Sequence, residues 1–407
     1  MMKNNDSLGI KKALLIILLF GVVSLLGDVI YEGARGVNGP YLQILGLNAA
    51  MVGIIAGLGE FLGYAIRVVS GYFSDRTKAY WLFTFIGYGL LVFIPLLSLT
   101  GIWQIAGMFI IFERVGKAIR SPARDTLLAN TAKQVGTGWG FGLHEFLDQI
   151  GAIIGPLVFA VFFYSLGSSQ LSVANYQKGY SFLWVPFFFL IIALSIAYKL
   201  AKNKTGTEIQ SSSDQKQKKL SQIFWIYLSF TFLTTLGFAS FVLIGYHIKV
   251  KSLMPDTYIP LLYAFAMLVD ALFALGVGKL YDVLKTHKKN EKGGLIILAV
   301  IPLISAAIPL LVFSTSLTLI FIGIFVWGIV MGTHETIMRA AIADLTPESK
   351  RGTGYGIFNA SYGLAMFIGS ATIGFLYDYS LALLITIVIL VEIAAMLLFF
   401  KLRKEIA

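Results

Sequence analysis

Twelve stretches of roughly twenty predominantly apolar residues follow one another along this chain, and nothing else in it constrains the fold as strongly. A helix of about that length crosses the hydrocarbon of a bilayer, and a helix satisfies its own backbone hydrogen bonds where water is absent. The stretches fall at 12–38, 49–70, 80–99, 102–121, 139–165, 179–200, 222–248, 258–280, 293–313, 316–340, 354–377 and 380–400. Only 13% of the residues are charged, about half the usual share of a soluble domain. The expected molecule is therefore an all-α, multi-pass membrane protein. The first stretch follows a basic start, as in a signal peptide, but runs on past any small-residue cleavage site and is read as an uncleaved helix.

The basic residues give the direction. With the N-terminus placed in the cytoplasm, 28 of the 32 Lys and Arg fall on the cytoplasmic side. Only Lys178, Lys249 and Lys251 fall outside, and Arg35 lies within the membrane. This asymmetry predicts both termini inside, and the plasma membrane of a prokaryote is the expected location. It also accounts for the net charge of +11 without nucleic acid as a partner. The Ser/Gln/Lys-rich segment 201–221 has no apolar periodicity and reads as a cytoplasmic linker. It divides the chain into six spans at 1–200 and six at 222–407.

The halves echo each other. "SGYFSDRTK" follows the second span and "VGKLYDVLK" follows the eighth, aligning Gly71 and Asp75 with Gly278 and Asp282. "GTGWG" opens the fifth span and "GTGYG" the eleventh. The two pairs of segments are separated by nearly the same offset, as expected for a duplicated six-helix unit in parallel orientation.

These features resemble the major facilitator superfamily. Gly71, Asp75 and Arg76 match its loop motif between spans 2 and 3, although Thr77 and Lys78 replace the second glycine and part of the basic run. Arg114 in "ERVGKAIRSPARD" resembles the span 4 arginine associated with proton coupling in antiporters. Gly142, Gly151, Gly155 and Pro156 match the span 5 antiporter motif, except that Phe159 and Ala160 stand where its final glycine pair belongs. The resemblance implies twelve transmembrane helices in two pseudo-symmetric six-helix bundles that rock about a central cavity. It implies a cytoplasmic latch at Gly71, Asp75 and Arg76, echoed by Gly278 and Asp282, and a hinge at Gly142, Gly151, Gly155 and Pro156 between the bundles. Simple topology fixing and small-residue packing are the alternative roles of these two sets.

Charges inside lipid-length helices are costly and mark pathways or interhelical contacts. Asp28, Tyr31, Glu32 and Arg35 recur at i, i+3, i+4 and i+7, one face of the first span. Asp28 lies about 24 Å along the helix from Lys12 at 1.5 Å per residue. Glu60 sits mid-span with no close basic neighbour along its own helix. His144, Glu145 and Asp148 in "HEFLD", His334 and Glu335 in "THET", and Asp270 complete the candidate substrate and proton sites. Histidine titrates near neutrality and suits a proton relay or a divalent cation; a hydrogen-bonded network is the alternative. Lys117, Arg120 and Arg124 are expected to reach lipid phosphates or acidic loop partners, and Glu392 and His247 to be structural or interfacial.

Several chemistries are excluded. The chain has no cysteine, which removes disulfides and thiolate sites. "HEFLD" lacks the second histidine of a zinc peptidase, and "RVGKAIRSP" lacks the leading glycine and the Lys-Ser/Thr of a phosphate loop. No cofactor, metal centre or enzymatic activity is expected. The expected function is secondary transport by alternating access, as a monomer: proton-coupled export of a small cationic or zwitterionic organic molecule. The alternative is symport or uniport uptake of a metabolite or divalent metal ion.

Overall fold

A computed structural model describes residues 2–132, 137–168, 170–202, 220–288, 293–347 and 351–406. Over those residues the chain is helical and contains no strand. The helices are α1 (Met2–Ile44), α2 (Ala49–Thr77), α3 (Tyr80–Gly89), α4 (Trp103–Ala132), α5 (Thr137–Ser165), α6 (Val173–Ser181) and α7 (Trp184–Lys202). They continue as α8 (Gln222–Leu236), α9 (Phe241–Val250), α10 (Tyr258–Lys288), α11 (Ile301–Val312), α12 (Leu317–Leu345), α13 (Arg351–Tyr379) and α14 (Leu381–Ile406). Most of the linker 201–221 and the Asp282 side chain lie outside the described residues.

Among the described residues, eleven helical stretches are long and apolar enough to cross a membrane. The twelfth expected span is α4. At 30 residues it has ample length, but Glu113, Arg114, Lys117, Arg120, Arg124 and Asp125 lower its hydropathy. Four spans are broken, the ninth by 3-10 turns at Gly293–Ala299 ahead of α11. After α3 the chain tightens into 3-10 turns from Leu90 to Leu99 around Pro95, which cannot donate a backbone bond. Spans 6 and 7 are each two helices. Between α8 and α9, residues 237–240 leave the helix, and the Trp327 indole donates to the freed Ala239 carbonyl at 2.8 Å. The turn between α1 and α2 needs Gly46, whose φ of +91° disfavours any side chain.

The internal repeat has a physical counterpart. A Cβ on Gly71 would meet Pro122 of α4 at 3.5 Å, and one on Gly278 would meet Thr336 of α12 at 3.3 Å. The two glycines thus occupy matching contacts, α2 on α4 and α10 on α12. The span 5 glycines differ from expectation. Gly151 and Gly155 pack on the backbone of α1, with the Gly33 nitrogen 2.7 Å from where a Gly155 Cβ would stand, so they join helices of one half rather than the two halves. Gly142 is exposed and a Cβ there would meet nothing within 4 Å. Pro156 lies inside α5.

The two halves meet through α2 against α13, α1 against α9 and α10, and α5 against α10. At the end remote from the termini the join is tight. A Cβ on Gly57 would lie 2.9 Å from the Phe367 backbone. The Asp378 carboxylate of α13 accepts from the Ala49 and Ala50 amides at the start of α2, at 3.2 and 2.8 Å. Asp256 accepts from the Leu171 amide at 2.8 Å and pairs with Lys249. Removing the Asp378 carboxylate by Asp378→Ala should cost about 1 kcal/mol, the typical value of a helix N-terminal cap. A small drop in Tm of detergent-purified protein is the expected readout.

Candidate functional site

The four residues predicted to share a face of α1 do share it, and all four line a central cavity of about 230 Å³. Around this stripe gather Glu60 from α2, Arg114 from α4, Glu145 and Asp148 from α5, and Asp270 and Glu335 from α10 and α12. Ten of the twelve predicted substrate and proton residues therefore surround one void. Arg67, Arg124 and Asp125 extend the lining along α2 and α4 toward the end that carries both termini.

A buried ion network spans three helices at one side of this void. Arg35 pairs with Glu32 at 3.2 Å and closely with Glu60. Arg114 approaches Glu60 at 3.5 Å and Glu113 at 3.4 Å. Tyr263 of α10 donates to Glu32, so the network reaches across to the other half. Glu60 has basic partners after all, but on α1 and α4, which its own helix could not reveal. Each charge here is offset by an opposite one, as burial demands.

Three other carboxylates in the lining are arranged differently. Asp28, Asp270 and Glu335 have no basic group within 4 Å among the described residues. Asp270 is 3% exposed, and its Oδ1 has no hydrogen-bond partner. An isolated buried carboxylate is costly as an anion and cheap as an acid, so such a group exchanges a proton or attracts an ammonium.

The two histidines do not reach the cavity. His334 is buried behind it, with Nδ1 3.5 Å from the Tyr362 hydroxyl and its ring 5.2 Å from Phe238. Glu335, one residue on, takes the lining position instead. His144 is buried with Nδ1 3.5 Å from Asp148 Oδ2. The loop residues Asp75 and Arg76 are exposed; Asp75 accepts from Tyr80 at 3.1 Å, and Arg76 donates to Tyr72 at 3.3 Å. Among the described residues Asp75 forms no ion pair. His247 is fully buried between Tyr377 and the Ser314 carbonyl rather than interfacial. Glu392 is buried against the span 7 break and does not line the cavity.

Lys117, Arg120 and Arg124 overturn the lipid-phosphate expectation, for all three line the cavity. Lys117 donates to the Tyr31 hydroxyl at 2.7 Å, and Arg124 bonds Ser24 at 3.0 Å and pairs with Asp125 at 2.9 Å. The signal was present in the sequence. Arg114, Lys117 and Arg124 with Arg120 form a basic stripe at near-helical spacing, and α4 turns that stripe inward. Also missed was the opposite wall, where Phe238, Phe241, Tyr263, Met267, Trp327 and Met331 of the second half face the charges.

The sequence profile of the Major Facilitator Superfamily matches residues 13–301 and 290–406, essentially the whole chain. The chain belongs to this superfamily. An uncharacterized protein of Mycobacterium tuberculosis is 37% identical over 391 residues, covering 95% of this chain and 92% of its own length. An uncharacterized MFS-type transporter of Methanocaldococcus jannaschii is 27% identical over 369 residues, covering 89% and 88%. Among solved structures, a bacterial homolog to the human lysosomal transporter Spinster, inward-facing and occupied, superposes with a TM-score of 0.70 at 14% identity, covering 96% of each chain. The nucleoside transporter NupG gives 0.66 at 11% identity, covering 94% and 99%. At such identities the two structures speak for the fold alone. The protein is thus a multi-pass membrane protein of a transporter superfamily, with the twelve-helix fold of its relatives. Membership implies a small-molecule substrate and a lipid surround.

Proposed function

We propose that this chain is a proton-coupled exporter of a small cationic or zwitterionic organic solute, working by alternating access. One observation carries the reading. Carboxylates without a basic partner among the described residues, Asp28 on the first half and Asp270 and Glu335 on the second, face one cavity together with an aromatic wall. Such groups are suited to exchange a proton for an ammonium-bearing solute. The remaining charges form the Glu32–Arg35–Glu60–Arg114 network, which joins α1, α2 and α4 and touches Tyr263 of the other half. Its partners suit it to report conformational change rather than to carry solute.

In this reading residues 1–200 and 222–407 are the rocking halves, 201–221 is their tether, and both termini are cytoplasmic. The structure then corresponds to an inward-facing state, in which the cytoplasmic Asp75–Arg76 latch is released and the outer join at Gly57 and Asp378 is closed. The prokaryotic plasma membrane fits the positive-inside bias and the bacterial and archaeal relatives, and the carrier is taken to act as a monomer. Export is favoured by the antiporter-like Gly151, Gly155 and Pro156, and by the inward-turned Arg114.

Counterflow in proteoliposomes across a solute panel tests the proposal. A pH gradient, acidic on the outer face, should drive solute out of the side bearing the termini, and Asp270→Asn should remove that stimulation while leaving counterflow. Solute movement indifferent to the gradient in the unmutated protein would refute coupling. A second reading, uptake of a metabolite or divalent cation, draws on His144, Glu145 and Asp148, whose donor atoms lie within 4.8 Å of one another. Cation-dependent counterflow lost in His144→Ala would favour it.

A further inference from the structure

Lys117 and Arg120 are one turn apart on α4, and both approach the Tyr31 ring. The Lys117 Nζ lies 4.1 Å from the ring centroid, and the Arg120 guanidinium lies 5.7 Å from it and 4.7 Å from the ring of Tyr88. Both line the central cavity. Neither has a carboxylate within 4 Å among the described residues, unlike Arg35, Arg114 and Arg124 beside them. Asp28 and Glu32 share this wall; Asp28 stays beyond ion-pair range, and Glu32 is engaged by Arg35 and Tyr263. Arg120 is only 2% exposed, and its Nη1 has no hydrogen-bond partner.

A buried guanidinium without a counter-ion is expensive, so its position has to be imposed by the packing around it. Gly87 and Gly116 do this. They bring α3 and α4 to backbone contact, where a Cβ on Gly87 would lie 2.6 Å from the Arg120 nitrogen. Cation–π contacts with Tyr31 and Tyr88 offset part of the cost and leave the Arg120 donors uncommitted, while Lys117 gives one of its three N–H groups to the Tyr31 hydroxyl. A fork of unused N–H groups beside an ammonium matches the geometry of a carboxylate or phosphate. Facing them, Phe238, Phe241, Met267 and Trp327 offer apolar surface for the remainder of a solute.

We infer that Lys117 and Arg120 form a subsite for an oxyanion, so that the solute carries a carboxylate or phosphate group on an apolar or aromatic body. This rests on the carrier reading of the same cavity and narrows it. Of the cationic and zwitterionic solutes, it selects those that also bear an oxyanion, their amine directed to the carboxylates of the second half.

Four compounds with one body separate the possibilities: phenylpropionate, phenethyl phosphate, phenylalanine and phenethylamine. Thermal shift of the purified full-length protein, with each at about 10 mM to saturate millimolar sites, should show stabilisation by the oxyanion compounds and none by phenethylamine. The stronger of phenylpropionate and phenethyl phosphate identifies the oxyanion. Lys117→Gln and Arg120→Gln should each weaken that binding roughly 10–100-fold, as loss of a charge-assisted bond does. Lys117→Arg, which keeps the charge, should retain most of it. Stabilisation by phenethylamine alone, no shift with any oxyanion compound, or oxyanion binding unchanged in both Gln variants would overturn the subsite. A pH-driven flux of phenethylamine would sink the subsite and spare the carrier. Oxyanion binding lost in the Gln variants, but with no flux of any compound, would do the reverse.

Discussion

Arg35→Ala should unfold the first half more readily than any other single change in the cavity and should abolish transport. Glu32 and Glu60 both pair with this guanidinium, and without it Glu60 keeps the more distant Arg114 at 3.5 Å. Removing one partner of a buried ion pair costs about 3–5 kcal/mol, because the remaining charge is stranded. Thermal denaturation in detergent reads the effect directly. Arg35→Lys restores charge but not the forked geometry, since Glu32 and Glu60 lie on different helices and are bridged by separate guanidinium nitrogens. Its stability should recover in part, while flux stays low. The double variant Arg35→Ala with Glu60→Gln should be more stable than Arg35→Ala alone, because the stranded carboxylate is gone. A near-additive loss would mean that the pair contributes little.

Gly57→Leu is expected to block the cycle with little loss of folding. The position lies where α2 meets α13, and a Cβ there already falls 2.9 Å from the Phe367 backbone. Backbone cannot yield as a flexible side chain does, so the larger residue must part the halves at the end remote from the termini. The outer-closed arrangement is then destabilised by about 1–3 kcal/mol, the usual cost of overpacking. The population should shift toward the opposite state, and flux should fall at least roughly tenfold. The chain has no cysteine, so one cysteine placed in the cavity reports the shift: outer-face labelling should rise in Gly57→Leu. Equal labelling with and without the substitution would show that this contact does not gate.

Much of this was legible because membranes leave few choices. Apolar runs of lipid length had to become helices, and the face shared by Asp28, Tyr31, Glu32 and Arg35 followed from helical period alone. Glu60 is instructive in the other direction. Its partners, Arg35 and Arg114, are supplied by helices whose rotation no local pattern fixes. From sequence, Lys117 and Arg120 are expected at lipid phosphates or acidic loop partners, since basic side chains near span ends usually snorkel. The α3–α4 contact at Gly87 and Gly116 instead turns α4 so that its basic stripe faces inward. His334 and Glu335 differ by one residue, about 100° of helix rotation. That step decides which of them meets the cavity, and it lies within the uncertainty of any boundary read from sequence. The break at residues 237–240 left a carbonyl that only a distant Trp327 could satisfy, so it too was invisible locally.

The central claim is that the buried carboxylates are tolerated because a solute and proton pathway wets them. Ala56 lines the cavity on α2 beside Glu60 and is not part of the ion network. In Ala56→Cys, reconstituted into proteoliposomes, a membrane-impermeant thiol reagent should react from the face bearing the termini at rest. It should react from the opposite face only when a pH gradient and solute drive turnover. Failure to react from either face under any condition would mean that the cavity is dry, and would contradict the assignment of Asp28, Asp270 and Glu335 to a transport pathway.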